Sequence, residues 1–333
     1  MKKIKEKKNK FTPLTCVLLV LLIVYCLILF YLLSWSVITS FKVNRAIYEL
    51  DPYGFLINFD KYANSFDANT DYGALNILAL NKAKEDGPLI FYTFRYVMQE
   101  FFMPTATMGN IPAREVDMIS MYVNTLLYAS GCAFGATFVP CIAAYACARF
   151  NYKFSKFIHT LIIVVMMIPI VGSLPSEIEV ARTFGVMNSI WGLWIMKANF
   201  LGLYFLVFYD IFKGLPVAFT EAAKIDGANN FQILFKIAMP LIKNTFLTVL
   251  LIKFITFWND YQSPMVFMPS FPTIANGLNH IMNLNANAEQ SSKYTEVPMR
   301  MAMVILTATP VTILFMIFQK RLLGNLTMGG VKG

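Results

Sequence analysis

Charged residues are scarce in this chain, and their scarcity excludes an ordinary soluble domain. Asp, Glu, Lys and Arg make up 14% of the 333 residues, whereas apolar residues make up 57%. A soluble domain usually carries about 25% charged residues. Four runs contain no Asp, Glu, Lys or Arg at all: residues 12–41, 118–148, 157–176 and 301–319. Each run has about the 20 residues that a membrane-spanning helix needs.

Two further apolar stretches are interrupted only by isolated charges. One runs roughly over residues 189–211 and contains Lys197 and Asp210, and the other runs roughly over residues 245–264 and contains Lys253 and Asp260. The expected fold class is therefore an all-α membrane protein with six transmembrane helices.

Signatures of catalysis are also lacking. The chain has no GxxxxGK[ST] phosphate loop and no metal-ligand cluster, and its only histidines, His159 and His280, stand alone. The five cysteines fall within predicted spans without ligand-like or disulfide spacing, which indicates a packing role. We expect a chain that is not an enzyme and binds no cofactor or metal of its own.

The net charge of +9 is distributed in a way that predicts topology. Positive residues mark the cytoplasmic side of a membrane protein. Lysines crowd into residues 1–11, and basic residues recur at 149–156, around 213–243 and at 320–321. Both termini are therefore expected in the cytoplasm of a bacterial cell, with an uncleaved first helix.

The same topology places residues 42–117 outside the cell as one long insertion between the first two spans. Tyr72 to Lys84 is expected to form a short helix, and Leu89 to Met103 is rich in aromatic residues. These aromatics could form the insertion's own core or a docking surface for an external partner. A second external loop, residues 265–298, could simply connect two spans, or its amides could contact a binding protein or hydroxyl-bearing ligand; the candidates are Asn276, Asn279, Asn283 and Asn285.

A polar gap between two spans, residues 213–244, contains the most informative motif. Pro216 opens a first helix, Gly227 permits a turn with φ > 0, and Pro240 punctuates a second helix where the next apolar run begins. Two short helices joined by a glycine turn at a membrane surface predict a docking lever. The residues that define the motif are Glu221, Ala222, Ala223, Asp226, Gly227, Ile237 and Pro240.

This pattern resembles the EAA motif of ABC importer permeases, with Met239 in place of the usual Leu. Other segments match the carbohydrate branch: SFK at 40–42, AAYACARF at 143–150, WNDY at 258–261 and LTMGGVKG at 326–333. The chain is thus similar to the maltose-permease G-type family from Ser40 to its last residue. A stretch of about fifty residues, roughly Phe66 to Glu115, lies outside the resemblance.

The resemblance implies a type I ABC importer permease fold. Its divisions would be a basic tail (1–11), a first helix (12–41), the insertion (42–117), a permease core (118–325) and a cytoplasmic tail (326–333). It also implies a second, different permease subunit, two ATPase subunits that use ATP and Mg²⁺, an external solute-binding protein and a carbohydrate substrate. Glu221 would pair with a basic residue of the ATPase.

Polar and aromatic residues near predicted spans are candidates for the substrate path, because charges inside a bilayer are costly and often functional. They are Asn124, Lys197, Phe257, Trp258, Asn259 and Asp260. Lys253, Phe257 and Asp260 would share one stripe of the fifth span. Lys197 could pair with Asp260, Glu177 or Glu179, or could meet an anionic sugar.

Two alternatives remain open from the residues. A peptide or amino-acid ABC permease would typically carry Leu-Gly-Ala where this chain has Ile-Asp-Gly-Ala, and would lack the C-terminal tail. A stand-alone channel or secondary transporter would show polar relays and inverted repeats, and would not require the Glu221 loop.

Overall fold

The computed structural model describes residues 13–41, 92–108, 111–150, 152–168, 172–283 and 297–326. Contacts divide the chain into two units. The first contains residues 1–97 and 284–306, and the second contains residues 98–283 and 307–333. The helix expected at Tyr72 to Lys84 lies outside the described residues.

The first unit is built on one long apolar helix, α1 (Pro13–Ser40). Nearly all side chains between Leu14 and Leu33 are exposed, which is the pattern of a helix whose solvent is lipid. Near its end, the Ser36 hydroxyl lies 3.3 Å from the sulfur of Met301. Phe41 packs on Phe94 with ring centroids 5.1 Å apart. Phe94 belongs to α2 (Tyr92–Glu100), so part of the aromatic-rich segment is helical.

The second unit begins with a small antiparallel hairpin that leads into its central helix. β1 (Phe102–Pro104) pairs with β2 (Glu115–Asp117). Phe101, just before β1, is only 1% exposed. Asp117 then caps α3 (Met118–Arg149) by accepting a hydrogen bond from the amide of Ser120 over 3.2 Å.

α3 is the helix around which the second unit packs. Its fully buried side chains recur at helical spacing, at Met118, Met121, Thr125, Tyr128 and Cys132. The elements that pack on it are α4 (Lys153–Met167), α6 (Ile190–Lys197), α7 (Leu203–Gly214), α10 (Met239–Trp258) and α12 (Ile274–Asn283).

A small-residue face on α3 allows α6 to approach closely. A Cβ added at Gly131 would lie 1.9 Å from the Trp194 ring, and one at Gly135 would lie 3.0 Å from the Cβ of Ala198. Glycines four apart are a recurring device for close helix contact in membranes. The indole NH of Trp194 donates to the carbonyl of Leu127 over 3.1 Å, which locks this contact.

The remaining helices complete the second unit. They are α5 (Leu174–Thr183), α8 (Val217–Ile225), α9 (Asn230–Ile233), α11 (Gln262–Phe267) and the part of α13 (Val297–Leu326) that follows Leu306. A π-helical segment, Leu234–Ala238, joins α9 to α10 without a break.

Four of the described helices are long and apolar enough to span a membrane: Pro13–Ser40, Met118–Arg149, Asn230–Trp258 and Val297–Gln319. A fifth span is obtained if the bent pair α7 and α8 is counted as one. The first, second and fourth of these helices coincide with the first, second and sixth predicted spans. The third begins and ends earlier than the predicted fifth span, residues 245–264.

The third and fourth spans differ from the prediction. α4 has only 15 residues and ends at Met167, after which Ile168 is extended with φ −81° and ψ 119°. Ile168 precedes Pro169, and a residue before proline disfavours the helical conformation. The prediction of a single helix over residues 189–211 is wrong. The helix is interrupted between α6 and α7, where Gly202 has φ +139°.

Candidate functional site

The predicted lever begins with α8 and a glycine turn. Asp226 is the C-cap of α8, and Gly227 follows with φ +78°. The amide of Ala228 donates to the carbonyl of Ala223 over 2.9 Å, and the amide of Gly227 donates to that of Lys224 over 3.1 Å. These two bonds form a Schellman motif, which satisfies carbonyls that the end of a helix leaves free. The turn with positive φ that the sequence predicts at Gly227 is present.

The other side of the turn is closed by a capping box. The side-chain oxygen of Asn229 accepts from the amide of Gln232, and the side-chain oxygen of Gln232 accepts from the amide of Asn229, each over 2.8 Å. Reciprocal bonds of this kind satisfy two amides at the start of a helix. Both sides of the turn therefore use local hydrogen bonds, and the shape does not depend on a partner.

The surface of this turn is more apolar than a solvent-exposed loop needs to be. Ala223 and Ile233 point inward and are 6% and 2% exposed, whereas Ile225 and Phe231 are 86% and 75% exposed. Glu221 and Asp226 are exposed beside them. Exposed apolar side chains rimmed by polar residues typically mark a protein–protein contact. We call the surface formed by Glu221, Ile225, Asp226 and Phe231 the docking surface.

Pro240 does not end the second helix as the sequence predicted. A proline has no amide hydrogen, and its ring collides with the carbonyl four residues earlier, here that of Lys236. The helix shifts register instead, so that the amide of Met239 donates to the carbonyl of Leu234, five residues back. Ile237 lies half-buried in this π segment. The docking surface is thus continuous with the long helix that ends at Trp258.

At that far end, two of the predicted path residues are buried in packing contacts. Phe257 is 8% exposed and meets Tyr128 edge-to-face with centroids 5.9 Å apart. Trp258 is 3% exposed, and its indole NH donates to the carbonyl of Thr307 over 3.0 Å. Asn259 is exposed and donates to the carbonyl of Ile255.

Asp260 lies beyond the end of α10, so the predicted stripe with Lys253 and Phe257 does not extend to it. One carboxylate oxygen accepts from the hydroxyl of Tyr128 over 2.8 Å, and the other accepts from the amide of Ser263 over 3.1 Å. Within the described part of the chain, Asp260 forms no salt bridge with Lys197. The tyrosine and the start of α11 hold it in place instead.

Lys197 instead lines a cavity of about 330 Å³ at the break between α6 and α7. Lys253 and Phe257 of α10 line the same cavity, as do Asn199 and Tyr204. The Lys253 ammonium lies 4.7 Å from the centroid of the Tyr204 ring. The structure therefore brings two predicted path residues, Lys197 and Phe257, together with Lys253. The sequence did not predict the interruption between α6 and α7 that allows this.

The asparagines of the external loop divide into structural and accessible ones. Asn276 is 2% exposed; its side-chain oxygen accepts from the hydroxyl and the amide of Thr273, and its amide nitrogen donates to the carbonyl of Tyr261. It has no surface to offer a binding protein. Asn124 is likewise 9% exposed and donates to the carbonyl of Pro272. Both support the backbone between α10 and α12.

Asn279 and Asn283 lie on the accessible side of α12, where the amide of Asn283 donates to the backbone and side-chain oxygens of Asn279. His280 lies half-buried between them in sequence, and burial lowers its imidazole pKa below the ordinary value. Asn285 lies outside the described residues. This helix therefore presents neutral polar groups, which suits a contact with hydroxyls or with a protein loop.

Sequence reasoning missed the residues that anchor this loop. Asn188 has φ +55° and exchanges hydrogen bonds with Ser270, and Arg114 donates to the carbonyl of Ser270 over 3.2 Å. Asparagine tolerates the left-handed conformation better than most residues, but its partner lies 82 residues away. No local pattern in the sequence links the two.

Comparisons with known proteins agree with the resemblance found in the sequence. The family model described as binding-protein-dependent transport system inner membrane component matches residues 136–326. The chain is 31% identical over 199 residues to the sulfoquinovosyl glycerol transport system permease protein SmoH of Agrobacterium fabrum, covering 59% of this chain and 67% of SmoH.

A second relative is the galactooligosaccharides transport system permease protein GanQ of Bacillus subtilis. It is 30% identical over 221 residues, covering 65% of this chain and 75% of GanQ. The fold is similar to that of a chain in the crystal structure of a bacterial ABC transporter involved in the import of the acidic polysaccharide alginate. That similarity has a TM-score of 0.66 at 21% identity and covers 94% of this chain and 98% of the other.

Proposed function

The chain belongs to the family of inner membrane components of binding-protein-dependent transport systems, and from that premise we propose that it is the permease subunit of an ATP-driven carbohydrate importer. The observation that carries the proposal is the preformed docking surface, which is continuous with a helix long enough to span the membrane. A chain that transports without hydrolysing ATP needs such a contact with its ATPase.

The substrate class is supported by the relatives. SmoH and GanQ are named for sulfoquinovosyl glycerol and for galactooligosaccharides. Another relative, 27% identical over 216 residues, is the melibiose/raffinose/stachyose import permease protein MelC of Bacillus subtilis. These names favour a carbohydrate, in particular an oligosaccharide, over a peptide or amino acid.

The assembly that we propose contains this chain, a second and different permease, two ATPase subunits and an external solute-binding protein. ATP and Mg²⁺ would bind the ATPase subunits. The docking surface would lie in a cleft of one ATPase, with Glu221 against a basic residue and Ile225 and Phe231 in an apolar pocket. The chain would cross the bacterial cytoplasmic membrane six times with both termini inside.

Alternating access follows from the continuity of the helix. The segment Asn230–Trp258 has 29 residues, which corresponds to roughly 43 Å at 1.5 Å per residue. When ATP binding closes the ATPase pair, the docking surface moves with its cleft, and the helix carries that displacement toward Phe257. ATP drives the change because it binds the closed state more tightly.

Variants of the docking surface test this proposal. Glu221→Ala and Ile225→Ala, made in the reconstituted importer, should leave the chain inserted in the membrane but weaken ATPase assembly and abolish substrate-stimulated hydrolysis. Lys153→Ala, an exposed change at the start of α4, serves as the control. Full assembly and stimulation in both docking variants would rule out this surface as the ATPase contact.

A further inference from the structure

The cavity between α6, α7 and α10 is positively charged. Lys197 and Lys253 both line it, and no Asp or Glu is among its lining residues. The two lysines come from different helices, one at the C-terminus of α6 and one within α10. Their presence in the same cavity therefore results from the fold rather than from their spacing in the sequence.

Neither lysine forms an ion pair with a carboxylate in the part of the chain that the structure describes. The Lys253 ammonium lies over the ring of Tyr204, and a ring face compensates only part of the cost of a cation removed from water. Asp260 is held by Tyr128 and Ser263. Charges kept within a membrane chain are expensive, so two unpaired lysines in one cavity call for an anion.

The rest of the lining suits an oxyanion attached to a sugar. Asn199 offers an amide that can donate to a charged oxygen or to a hydroxyl. Gly202 leaves open space where a side chain would project, since a Cβ there would meet nothing within 4 Å. Tyr204 and Phe257 add aromatic surface beside these polar groups. Apolar walls with a few convergent donors are typical of a small-molecule site.

We propose that this cavity binds the anionic group of an acidic carbohydrate, and that Lys197 and Lys253 are its counter-charges. This inference rests on the proposed function and narrows its substrate class to sugars that carry a carboxylate, a sulfonate or a phosphate. It assigns Lys197 the role of a ligand contact. The sequence left open whether Lys197 contacts a ligand or pairs with a carboxylate of the chain.

The test uses the complete importer in proteoliposomes and a panel of matched sugar pairs. Each acidic member, a uronic-acid disaccharide, a sulfonated hexose glycoside or a sugar phosphate, is compared with its neutral counterpart. Substrate-stimulated ATP hydrolysis and uptake are measured for both. We expect at least one acidic member to stimulate and its neutral counterpart to fail, and the responding arm identifies the oxyanion.

The double variant Lys197→Gln with Lys253→Gln ties the response to the cavity. Loss of charged hydrogen bonds should raise the acidic sugar concentration for half-maximal stimulation by roughly tenfold or more. Lys197→Arg should retain the response because the charge remains. Lys156→Gln, an exposed lysine of α4, should behave as the unaltered importer does.

The outcomes separate the two levels of the proposal. If only neutral sugars stimulate, or if the double variant responds to the acidic sugar unchanged, the anion site is wrong while the carbohydrate importer stands. If no member of either kind stimulates an importer whose ATPase assembles normally, the carbohydrate assignment itself is wrong.

Discussion

At the scale of single residues, Gly227 determines the shape of the docking surface. Its φ of +78° lies in the left-handed region, and a Cβ there would meet nothing within 4 Å. A substitution would therefore be opposed by backbone strain alone, about 1–2 kcal/mol for a residue with a Cβ.

We predict that Gly227→Ala weakens coupling without loss of the folded chain. The added strain should destabilise the conformation of the turn that the ATPase binds. The affinity for the ATPase should therefore fall roughly fivefold to thirtyfold. Gly214→Ala is the matched control, because Gly214 also has open space around it but no positive φ. Pull-down of the ATPase against each variant measures the effect. Equal weakening by the two changes would contradict the role of the turn.

Asp117 is a second residue whose effect can be isolated. It caps α3, and the hydrogen bond from the Ser120 side chain is the main cause that lowers the pKa of its carboxyl. Asp117→Ala should cost about 1 kcal/mol of stability, as for other N-caps.

The same cap predicts a pH dependence. Because the pKa of Asp117 is lower in the folded chain, its contribution is fully present above the unfolded pKa of about 3.9 and is lost as pH falls through the folded pKa. Thermal unfolding in detergent at pH 7 and at pH 3 should therefore differ less for Asp117→Asn than for the unaltered chain. An unchanged difference would show that the cap does not titrate in this range.

At the scale of elements, the contact between α3 and α6 depends on the absence of a side chain. Gly131→Ala would place a methyl group within 2.3 Å of three atoms of the Trp194 ring. We expect a loss of roughly 1–3 kcal/mol from overpacking. Trp194→Phe should recover part of that loss when the two changes are combined.

Thermal stability of the two single variants and the double variant measures this interaction. Ser130→Ala, next to Gly131 and largely exposed, is the control. Additive losses in the cycle would mean that Gly131 and Trp194 do not share the contact.

Element positions follow from the sequence where composition alone decides them. α1 and α3 could be predicted because uncharged runs of about 20 residues have no other stable environment. The end of α4 before Pro169 follows a local rule that a count of charges ignores. Pro240 does not end its helix in this way, because the π segment Leu234–Ala238 accommodates the proline ring.

The candidate site was predictable only in its local part. The turn at Gly227 is encoded by neighbours, so its geometry follows from the residues in order. The cavity is not encoded by neighbouring residues, since Lys197 and Lys253 line it together only because the helix is interrupted between α6 and α7. Asn276 was misjudged for a related reason: its amide lies in a loop that looked accessible, but in the fold it is buried and bonded to Thr273 and Tyr261.

At the scale of the whole molecule, the orientation in the membrane remains a prediction. Single cysteines in a cysteine-free background should react with an impermeant reagent from outside at positions 75 and 290, and from inside at positions 153 and 228. The reason is the excess of Lys and Arg on the expected cytoplasmic side. Positions 75 and 290 lie outside the described residues. Labelling of position 75 from inside would invert the first loop and contradict the six-span topology.

The insertion, residues 42–117, also remains a prediction at this scale. Residues 98–117 group with the second unit, where Phe101 is buried and Arg114 bonds to Ser270. A deletion that tests a docking role should therefore spare these residues, because their loss would disturb the fold itself.

The unbroken helix from Asn230 to Trp258 has a thermodynamic consequence. If engagement of the ATPase at one end changes the affinity for ligand near Phe257, then ligand must change the affinity for the ATPase by the same factor, since linkage between binding equilibria is reciprocal. The affinity for the ATPase should therefore differ between an importer loaded with sugar and an empty one. The ratio of those two affinities gives the coupling free energy between the two ends of the helix.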